Sequence, residues 1–207
     1  MCARYNPRKQ PSLKRSTGSR ELKKRFLIIC EGANTEPAYF GSFRLTSAAI
    51  RVLGRGRSTL ALVREAMAIR EAENKKGNNF DESWVVFDKD DFPASDFDSA
   101  IALAEVNGFR VAFSNQAFEL WFLMHFTPIA GHLHRSEYAR QLTNLLGFKY
   151  DKTEAVARKM YAHLLRLQPY AVENCKKLEK LKFSLAPSES ESFTTVYRLV
   201  EELNKYL

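Results

Sequence analysis

Cysteines are scarce in this chain, and long hydrophobic runs are missing from its sequence. The three cysteines, Cys2, Cys30 and Cys175, are odd in number and widely spaced among 207 residues, so they form neither a disulfide framework nor a zinc-binding pattern. No apolar run approaches the roughly 18–20 residues that a membrane-spanning helix needs. The basic N-terminus lacks an apolar stretch and a cleavage-site pattern, so we expect no conventional signal peptide. We therefore expect a protein of a reducing compartment, with the cytoplasm as its location.

The remaining composition is that of a globular protein. Hydrophobic residues make up 45% and charged residues 27% of the chain, which are ordinary values for a folded domain. A length of 207 residues accommodates one domain with a moderate extension. We expect a weakly ordered tail over residues 1–24 and a single domain over 25–207, with a core at 25–126 and a helical extension at 127–207.

Positive charge is concentrated at the N-terminus. The net charge is +8, and residues 1–25 contain nine Lys or Arg but a single acid, so the rest of the chain is balanced. Scattered Pro, Ser and Gly without apolar periodicity are typical of a weakly ordered segment. Such a tail can bind nucleic-acid phosphates, and Lys23, Lys24 and Arg25 are our candidates. A solubilising terminus or a patch for an acidic partner remains an open alternative.

Short apolar runs alternate with helical periodicity from residue 25 onward. The apolar runs predict strands at Arg25–Cys30, Ala49–Leu53, Ser83–Asp88 and Phe109–Ser114. The segments between them predict helices from Asn34 or Thr35 to about Arg44, from Ser58 or Thr59 to about Asn74, and from Asp96 to Gly108. This order is typical of an α/β fold, with a four-stranded, mainly parallel sheet flanked by helices.

The chain beyond residue 115 is predicted to be helical. Helices are expected at 118–126, 136–146, 152–166, 170–182 and 191–206. The first of these is rich in Phe, Leu and Trp on all sides, which indicates a core helix rather than an exposed platform for stacking bases. We find no internal repeat and no linker long enough to separate a second domain.

Three carboxylates stand at the predicted ends of two strands. Glu31 follows the first strand and precedes Gly32, while Asp88 and Asp90 follow the third strand. In open parallel sheets, ligands bind at the carboxyl ends of the strands. Like charges brought together there repel unless a cation bridges them, and Mg²⁺ takes one or two carboxylates plus phosphate oxygens. We therefore predict a Mg²⁺ or Mn²⁺ site and phosphodiester chemistry, with these three acids as catalytic residues.

The same acids are also compatible with different roles. Glu31 in a strand-to-helix turn can simply face water, and an isolated Asp-x-Asp is usually a solvated turn. Haloacid-dehalogenase phosphatases use a strand-borne Asp-x-Asp, but that strand normally comes first and a second acidic pair follows later; neither is found here. Glycosyltransferases also use Asp-x-Asp, which would leave the Glu31-Gly32 segment without a role.

Four blocks in order carry a resemblance to a known family. They are Ile28–Phe40, Trp84–Pro93, Ala112–Phe126 and Ser192–Glu202. An early strand-Glu-Gly paired with a later strand-Asp-x-Asp resembles the Toprim domain of topoisomerases, primases and OLD-type nucleases. More closely, the chain is similar to the RloB family, a Toprim-like group associated with bacterial restriction and phage-defence loci. The likeness covers the chain from about residue 25 to its end.

The resemblance implies roles for particular positions. It implies that Glu31 is a general acid/base or metal ligand, that Asp88 and Asp90 are metal ligands, and that Asp91 is an auxiliary acid. It also implies phosphodiester cleavage and a partner ATPase of the AAA/ABC type. One departure concerns catalysis, because no lysine or arginine can be matched to a family role in stabilising the transition state.

Further candidates lie outside the Glu and Asp-x-Asp segments. Glu119 follows the fourth strand in an apolar helix, where a carboxylate needs a metal, a cation or water; N-terminal stabilisation of the helix is the alternative. Arg55 and Arg57 lie in a Gly-Arg-Gly-Arg turn that can bind phosphates, or can be an ordinary surface turn. No Gly-Lys-Ser/Thr follows, so the turn is not a P-loop. His125, His132 and His134 suggest a transition-metal site. The His-x-His pair formed by His132 and His134 places two imidazoles near each other, but the sequence shows no third strong ligand.

These observations lead to two expected functions. The first is a Mg²⁺-dependent nuclease of an anti-phage defence system, with RNA, such as tRNA, preferred over DNA by analogy with defence nucleases. The second is a non-catalytic Toprim-like adaptor that binds an ATPase or nucleic acid.

Overall fold

The computed structural model describes residues 24–55, 59–129 and 131–207 of the chain. Most of the predicted basic tail, including Lys23, lies outside these ranges, and so does Arg57 of the Gly-Arg-Gly-Arg turn. Their predicted role in binding nucleic acid therefore stays a prediction.

A five-stranded sheet in the order β2-β1-β3-β4-β5 forms the centre of the fold. Its strands are β1 (Lys24–Cys30), β2 (Ala48–Gly54), β3 (Glu82–Asp88), β4 (Arg110–Asn115) and β5 (Phe193–Thr194). The first four strands run parallel, whereas β5 pairs antiparallel with β4. The predicted α/β class with a mainly parallel sheet is confirmed. The fifth strand is new, because two residues are too short to show a strand period.

Burial accounts for the sequence of the central strands. Every residue of Phe26–Cys30 in β1 is fully buried, and nearly all of Trp84–Phe87 in β3 is buried to the same degree. Strands that are covered on both faces read as continuous apolar runs. At the edge of the sheet, β2 alternates between more and less exposed residues, as expected for a strand with one open side.

Three helices connect the parallel strands. They are α1 (Thr35–Phe40), α2 (Thr59–Lys75) and α3 (Ala94–Val106). The prediction that α1 continues to Arg44 is wrong, because the helix ends at Phe40 and Gly41 closes it. The prediction that Gly108 closes α3 is confirmed. This glycine follows the helix two residues after Val106 and has a φ of +72°, a left-handed conformation that favours glycine after a helix.

The rest of the chain adds five helices within the described residues. They are α4 (Glu119–Leu123), α5 (Tyr138–Leu146), α6 (Glu154–Leu164), α7 (Gln168–Lys182) and α8 (Val196–Asn204). The prediction of a single helix over 191–206 is wrong, because Phe193 and Thr194 pair with β4 before α8 begins. None of the helices in the described ranges is both long and apolar enough to cross a bilayer.

Aromatic residues from α1 and α4 form the part of the core beneath the carboxyl edge of the sheet. The ring of Tyr39 lies 5.4 Å from that of Phe122 and 5.8 Å from that of Phe118, both edge-on. Its hydroxyl accepts hydrogen bonds from Trp121 Nε1 at 3.0 Å and Gln168 Nε2 at 3.2 Å. Since these residues are buried, the interpretation of this segment as part of the core is confirmed, although its helix spans only Glu119–Leu123 and not the predicted 118–126.

The three histidines occupy unrelated places. His125 is buried, with Nδ1 2.8 Å from the carbonyl oxygen of Trp121. His132 contacts Glu191, and His134 contacts Ser136. They share no contact that would place them around one metal ion.

The hydroxyl of Tyr39 should contribute to the stability of the protein, because it accepts two buried hydrogen bonds. Tyr39→Phe leaves two buried donors, Trp121 Nε1 and Gln168 Nε2, without an acceptor, so we expect a loss of about 1–3 kcal/mol in the free energy of unfolding. Urea denaturation measures the change. The control is Tyr170→Phe, at a side chain that is about half exposed, which should leave stability unchanged. Equal stability of both variants would show that these two donors find other partners.

A candidate metal centre at the carboxyl edge of the sheet

Five acids and one lysine line a single cavity at the carboxyl ends of β1 and β3. The cavity has a volume of about 250 Å³. Its charged residues are Glu31, Glu36, Asp88, Asp90, Glu119 and Lys152. Four of the acids are those that the sequence placed near each other. Glu36 and Lys152 were missing from the sequence prediction.

The end of β1 holds Glu31 against β3. Its N–H donates to the carbonyl of Val86 at 2.8 Å, which extends the strand pairing by one residue. Its Oε2 accepts the N–H of Asp88 at 3.0 Å, so the side chain bridges the two strand ends. Burial raises the pKa of Glu31 to about 7; the Asp88 N–H opposes this shift, and the charges of Asp90 and Glu36 add to it.

Asp88 ends β3 with its carboxylate turned into the protein. Its Oδ2 accepts the N–H of Phe118 at 3.0 Å. Its Oδ1 is buried and has no hydrogen-bond partner within the described part of the chain. Burial, followed by the charges of Glu36 and Glu119, raises the pKa of Asp88 well above its ordinary value. A buried carboxylate oxygen without a donor is costly, so this atom calls for a proton or a cation.

Glu36 enters the cavity from the first turn of α1. It is buried, and its Oε1 accepts the N–H of Gly32 at 3.3 Å. A Cβ at Gly32 would overlap the carboxylate of Glu36, and a Cβ at Gly54 would lie 2.6 Å from the carbonyl oxygen of Gly32. The glycines after β1 and at the end of β2 thus leave room for a tight turn beneath Glu36. Its position five residues after Glu31, in a helical first turn, was the sequence signal that could have found it.

Glu119 faces the cavity but already has partners. Its Oε1 accepts the hydroxyl of Tyr150 at 3.0 Å, and its Oε2 lies 3.1 Å from Lys152 Nζ. Only 3% of Glu119 is exposed, so the lysine supplies the cation that a buried carboxylate needs. Both partners come from the connection between α5 and α6. The metal-binding role of Glu119 stays a prediction.

Asp90 and Asp91 share one arginine. Arg135 bonds Asp90 Oδ1 through Nη1 and Asp91 Oδ2 through Nη2. Because β3 ends at Asp88, a turn rather than strand alternation brings Asp90 to the cavity; its φ is +42°, and its N–H donates to the carbonyl of Gln116 at 2.9 Å. The same turn directs Asp91 away. Its side chain is 71% exposed and does not line the cavity, so the predicted part of Asp91 as an auxiliary acid of the metal site stays a prediction.

The predicted basic residues do not gather at the cavity. Lys24 and Arg25 begin β1, whereas Glu31 follows its last residue, so about 20 Å of extended strand separates them from the site. Lys24 pairs with Glu82 and Glu202 there. Arg55 pairs with Glu65 and does not line the cavity. A role in phosphate binding at this site is therefore not supported for Lys24, Arg25 or Arg55.

The donor set fits a hard cation. Among the residues that the structure describes, no three His, Cys, Asp or Glu side chains form a ready-made metal cluster. Mg²⁺ needs less, because it keeps several waters and takes one or two carboxylates together with substrate phosphates. The unpartnered Asp88 Oδ1 meets that smaller requirement. Carboxylate oxygens suit Mg²⁺ or Mn²⁺ better than softer metals.

Comparison with known proteins yields one match. A family model described as RloB-like protein matches residues 26–203. No curated protein and no solved structure matches the chain. The matched span contains every residue that lines the cavity.

The close approach of Gly32 and Glu36 can be tested directly. Gly32→Ala places a methyl group on the Glu36 carboxylate, so we expect a loss of about 1–3 kcal/mol in the free energy of unfolding. Gly131→Ala is the matched control, because a Cβ there meets nothing within 4 Å. Adding Glu36→Ala to Gly32→Ala should recover part of the loss. If the single variant is as stable as Gly131→Ala, the carboxylate of Glu36 moves aside at no cost and does not constrain the turn.

The raised pKa of Glu31 predicts a pH dependence in metal-free protein. The ordinary pKa is 4.5 and the folded value is about 7, so the folded state binds more protons between these values and loses stability as the pH rises. In EDTA, the free energy of unfolding of the parent should fall between pH 4.5 and 7, and in Glu31→Gln this fall should be smaller by about 1–2 kcal/mol. The expected difference is lower than the full pKa shift implies, because Glu31 is partly exposed to solvent. Urea denaturation at each pH measures this.

Glu105→Gln serves as the control for that experiment. Glu105 is exposed, so removing its charge should leave the pH profile of the parent. A Glu31→Gln profile identical to that of the parent would contradict the burial of this carboxyl.

Proposed function

We propose that this chain, which belongs to the RloB-like protein family, is a Mg²⁺-dependent nuclease that hydrolyses phosphodiester bonds. The observation that carries the proposal is the buried, unpartnered Oδ1 of Asp88 in a cavity that it shares with Glu31 and Asp90. Three carboxylates in one cavity repel one another, and a hard divalent cation that also binds a phosphate relieves that repulsion.

The side chains of the cavity have different roles in the proposed reaction. Asp88 would hold the cation through Oδ1, the oxygen that has no other partner in the described chain, with Asp90 beside it. When bound, Mg²⁺ supplies positive charge to the scissile phosphate and lowers the pKa of an attacking water. Glu31 has a pKa of about 7, close to the value at which a carboxyl group both accepts and releases protons at neutral pH. We assign it proton transfer at the reacting water or leaving oxygen.

The substrate and the biological setting are also part of the proposal. We propose an RNA substrate, such as a tRNA, in a bacterial anti-phage defence system with a partner ATPase of the AAA/ABC type. These assignments are supported by the resemblance of the sequence to defence-associated relatives. Comparing cleavage of RNA and DNA by the full chain, alone and with any AAA/ABC-type ATPase found to be encoded next to its gene, tests them.

A second candidate function has an observation of its own. Asp90 is paired with Arg135, and Glu119 is paired with Lys152 and Tyr150, so two of the expected ligands have partners within the protein. An adaptor that binds an ATPase or nucleic acid without cleaving it would retain such pairs permanently.

Cleavage assays with Asp88→Asn distinguish the two functions. The variant keeps the shape of the side chain but loses the charge at Oδ1, so we expect cleavage in Mg²⁺ or Mn²⁺ to fall by at least about 100-fold. EDTA should abolish cleavage by the parent. Asp96→Asn, which removes an exposed acid from the first turn of α3, should cleave like the parent.

Two results would reject the nuclease assignment. Equal cleavage by Asp88→Asn and the parent would remove the site from the reaction. No cleavage with any metal, probe or partner, together with unchanged partner binding by Asp88→Asn, would favour the adaptor.

A further inference from the structure

Two cations from outside the sheet hold the acids of the cavity. Lys152, between α5 and α6, contacts Glu119 at 3.1 Å. Arg135, in the short 3₁₀ helix before α5, bonds both Asp90 and Asp91. The turn after β3 and the start of α4 supply these acids, and segments later in the chain supply the compensating positive charges.

The two cations differ in what their removal would leave behind. Glu119 is 3% exposed, so displacing Lys152 would leave a buried charge without compensation, at high cost. The side chains of Asp90 and Asp91 are 34% and 71% exposed. Water can solvate these carboxylates when Arg135 leaves, and a cation at Asp90 can replace it. Arg135 is therefore the exchangeable one of the pair.

The backbone of Arg135 is anchored while its guanidinium is accessible. Its N–H donates to Gln116 Oε1 at 2.8 Å, and the carbonyl of Gln116 accepts the N–H of Asp90 at 2.9 Å. One residue thus ties both ends of the ion pair to the loop after β4. The Arg135 side chain is 34% exposed, so it can rotate to a neighbouring anion without any movement of the loop.

We propose that Arg135 is a substrate-binding residue that exchanges partners: it holds Asp90 in metal-free protein and turns to a phosphate of bound nucleic acid when a divalent cation occupies Asp90. This inference rests on the proposed nuclease function for the identity of the substrate. A guanidinium is always charged and forms forked hydrogen bonds with carboxylates and phosphates alike. The fork that bridges Asp90 and Asp91 therefore suits a phosphate equally well.

The exchange has a thermodynamic consequence. Arg135 and a divalent cation compete for the same carboxylate, so the ion pair lowers metal affinity in the free protein. Once the metal is bound, the freed guanidinium raises the affinity for nucleic acid. By linkage, nucleic acid then raises the affinity for metal by the same factor. A residue that only positions Asp90 would have the opposite effect on metal binding, because its loss would misplace a ligand.

Arg135→Gln separates these two roles by a binding measurement. Isothermal titration of the full chain with Mn²⁺ should show affinity about 5-fold tighter than the parent, because the competing cation is gone. In Ca²⁺, the anisotropy of a fluorescein-labelled RNA hairpin, repeated with a DNA duplex, should show binding about 10-fold weaker than the parent. Arg140→Gln removes a nearby exposed arginine that pairs only with Glu137 in the described residues, and it should match the parent in both measurements.

Equal or weaker Mn²⁺ binding by a folded Arg135→Gln would overturn the exchange and leave Arg135 as a residue that positions Asp90. If Arg135→Gln does not fold, Arg135→Lys is used instead. Lysine keeps the charge but cannot bridge Asp90 and Asp91 through two nitrogens as the guanidinium does, so it competes less strongly with the metal for Asp90. Its Mn²⁺ affinity should therefore lie above that of the parent, and its RNA affinity in Ca²⁺ below it. Parent-like values for Arg135→Lys would likewise overturn the proposal.

The outcome for the nuclease function can be told apart from the outcome for Arg135. If the parent never cleaves, yet Arg135→Gln binds Mn²⁺ tighter and RNA more weakly than the parent while Asp88→Asn binds no Mn²⁺, the exchange stands and the nuclease assignment fails; RNA binding by Arg135→Gln equal to that of the parent overturns the exchange. If the parent cleaves and Arg135→Gln binds Mn²⁺ more weakly, the nuclease stands and the exchange fails. If no variant binds Mn²⁺, both are rejected.

Discussion

Glu31, Glu36 and Asp88 converge at the carboxyl edge of a parallel sheet, and burial raises the pKa of each carboxyl group there. Their mutual repulsion is the constraint to which the surrounding structure is adapted. Backbone N–H groups relieve part of it, since Gly32, Asp88 and Phe118 each donate to one of these carboxylates. Asp88 Oδ1 receives no hydrogen bond within the described chain, so the backbone leaves the negative charge at this oxygen without compensation.

Cations from the helical segments address a different part of the same cluster. Lys152 compensates the buried Glu119, while Arg135 compensates the more exposed Asp90 and Asp91. The carboxyl edge of the sheet and the segments after β4 are therefore interdependent: Asp90 and Glu119 would lose their counter-charges if Arg135 and Lys152 did not lie beside them. β5, which follows α7 in the chain, returns to pair with β4 and joins the two parts in one structure.

Residues whose place follows from the end of a strand are the ones most predictable from the sequence. Glu31 and Asp88 terminate adjacent parallel strands, and parallel strands end at the same edge, so their convergence was predictable without knowledge of the rest of the fold. Asp90 lies beyond the end of β3 and reaches the cavity by a turn with positive φ. Lys24 and Arg25 were assigned by charge alone, and the direction of β1 places them at the opposite edge.

Local sequence pattern determined the order of strands and helices, the burial of the central strands and the position of the acids at the strand ends. Periodicity and hydrophobicity can be read from a few neighbouring residues. Tertiary structure alone brings Tyr150, Lys152 and Arg135 to the site. Each is an ordinary charged or aromatic residue in its own segment, and Arg135 contacts acids about forty-five positions earlier in the chain. Such partners are selected by how helices pack on the sheet, and that packing depends on the shape of the whole core.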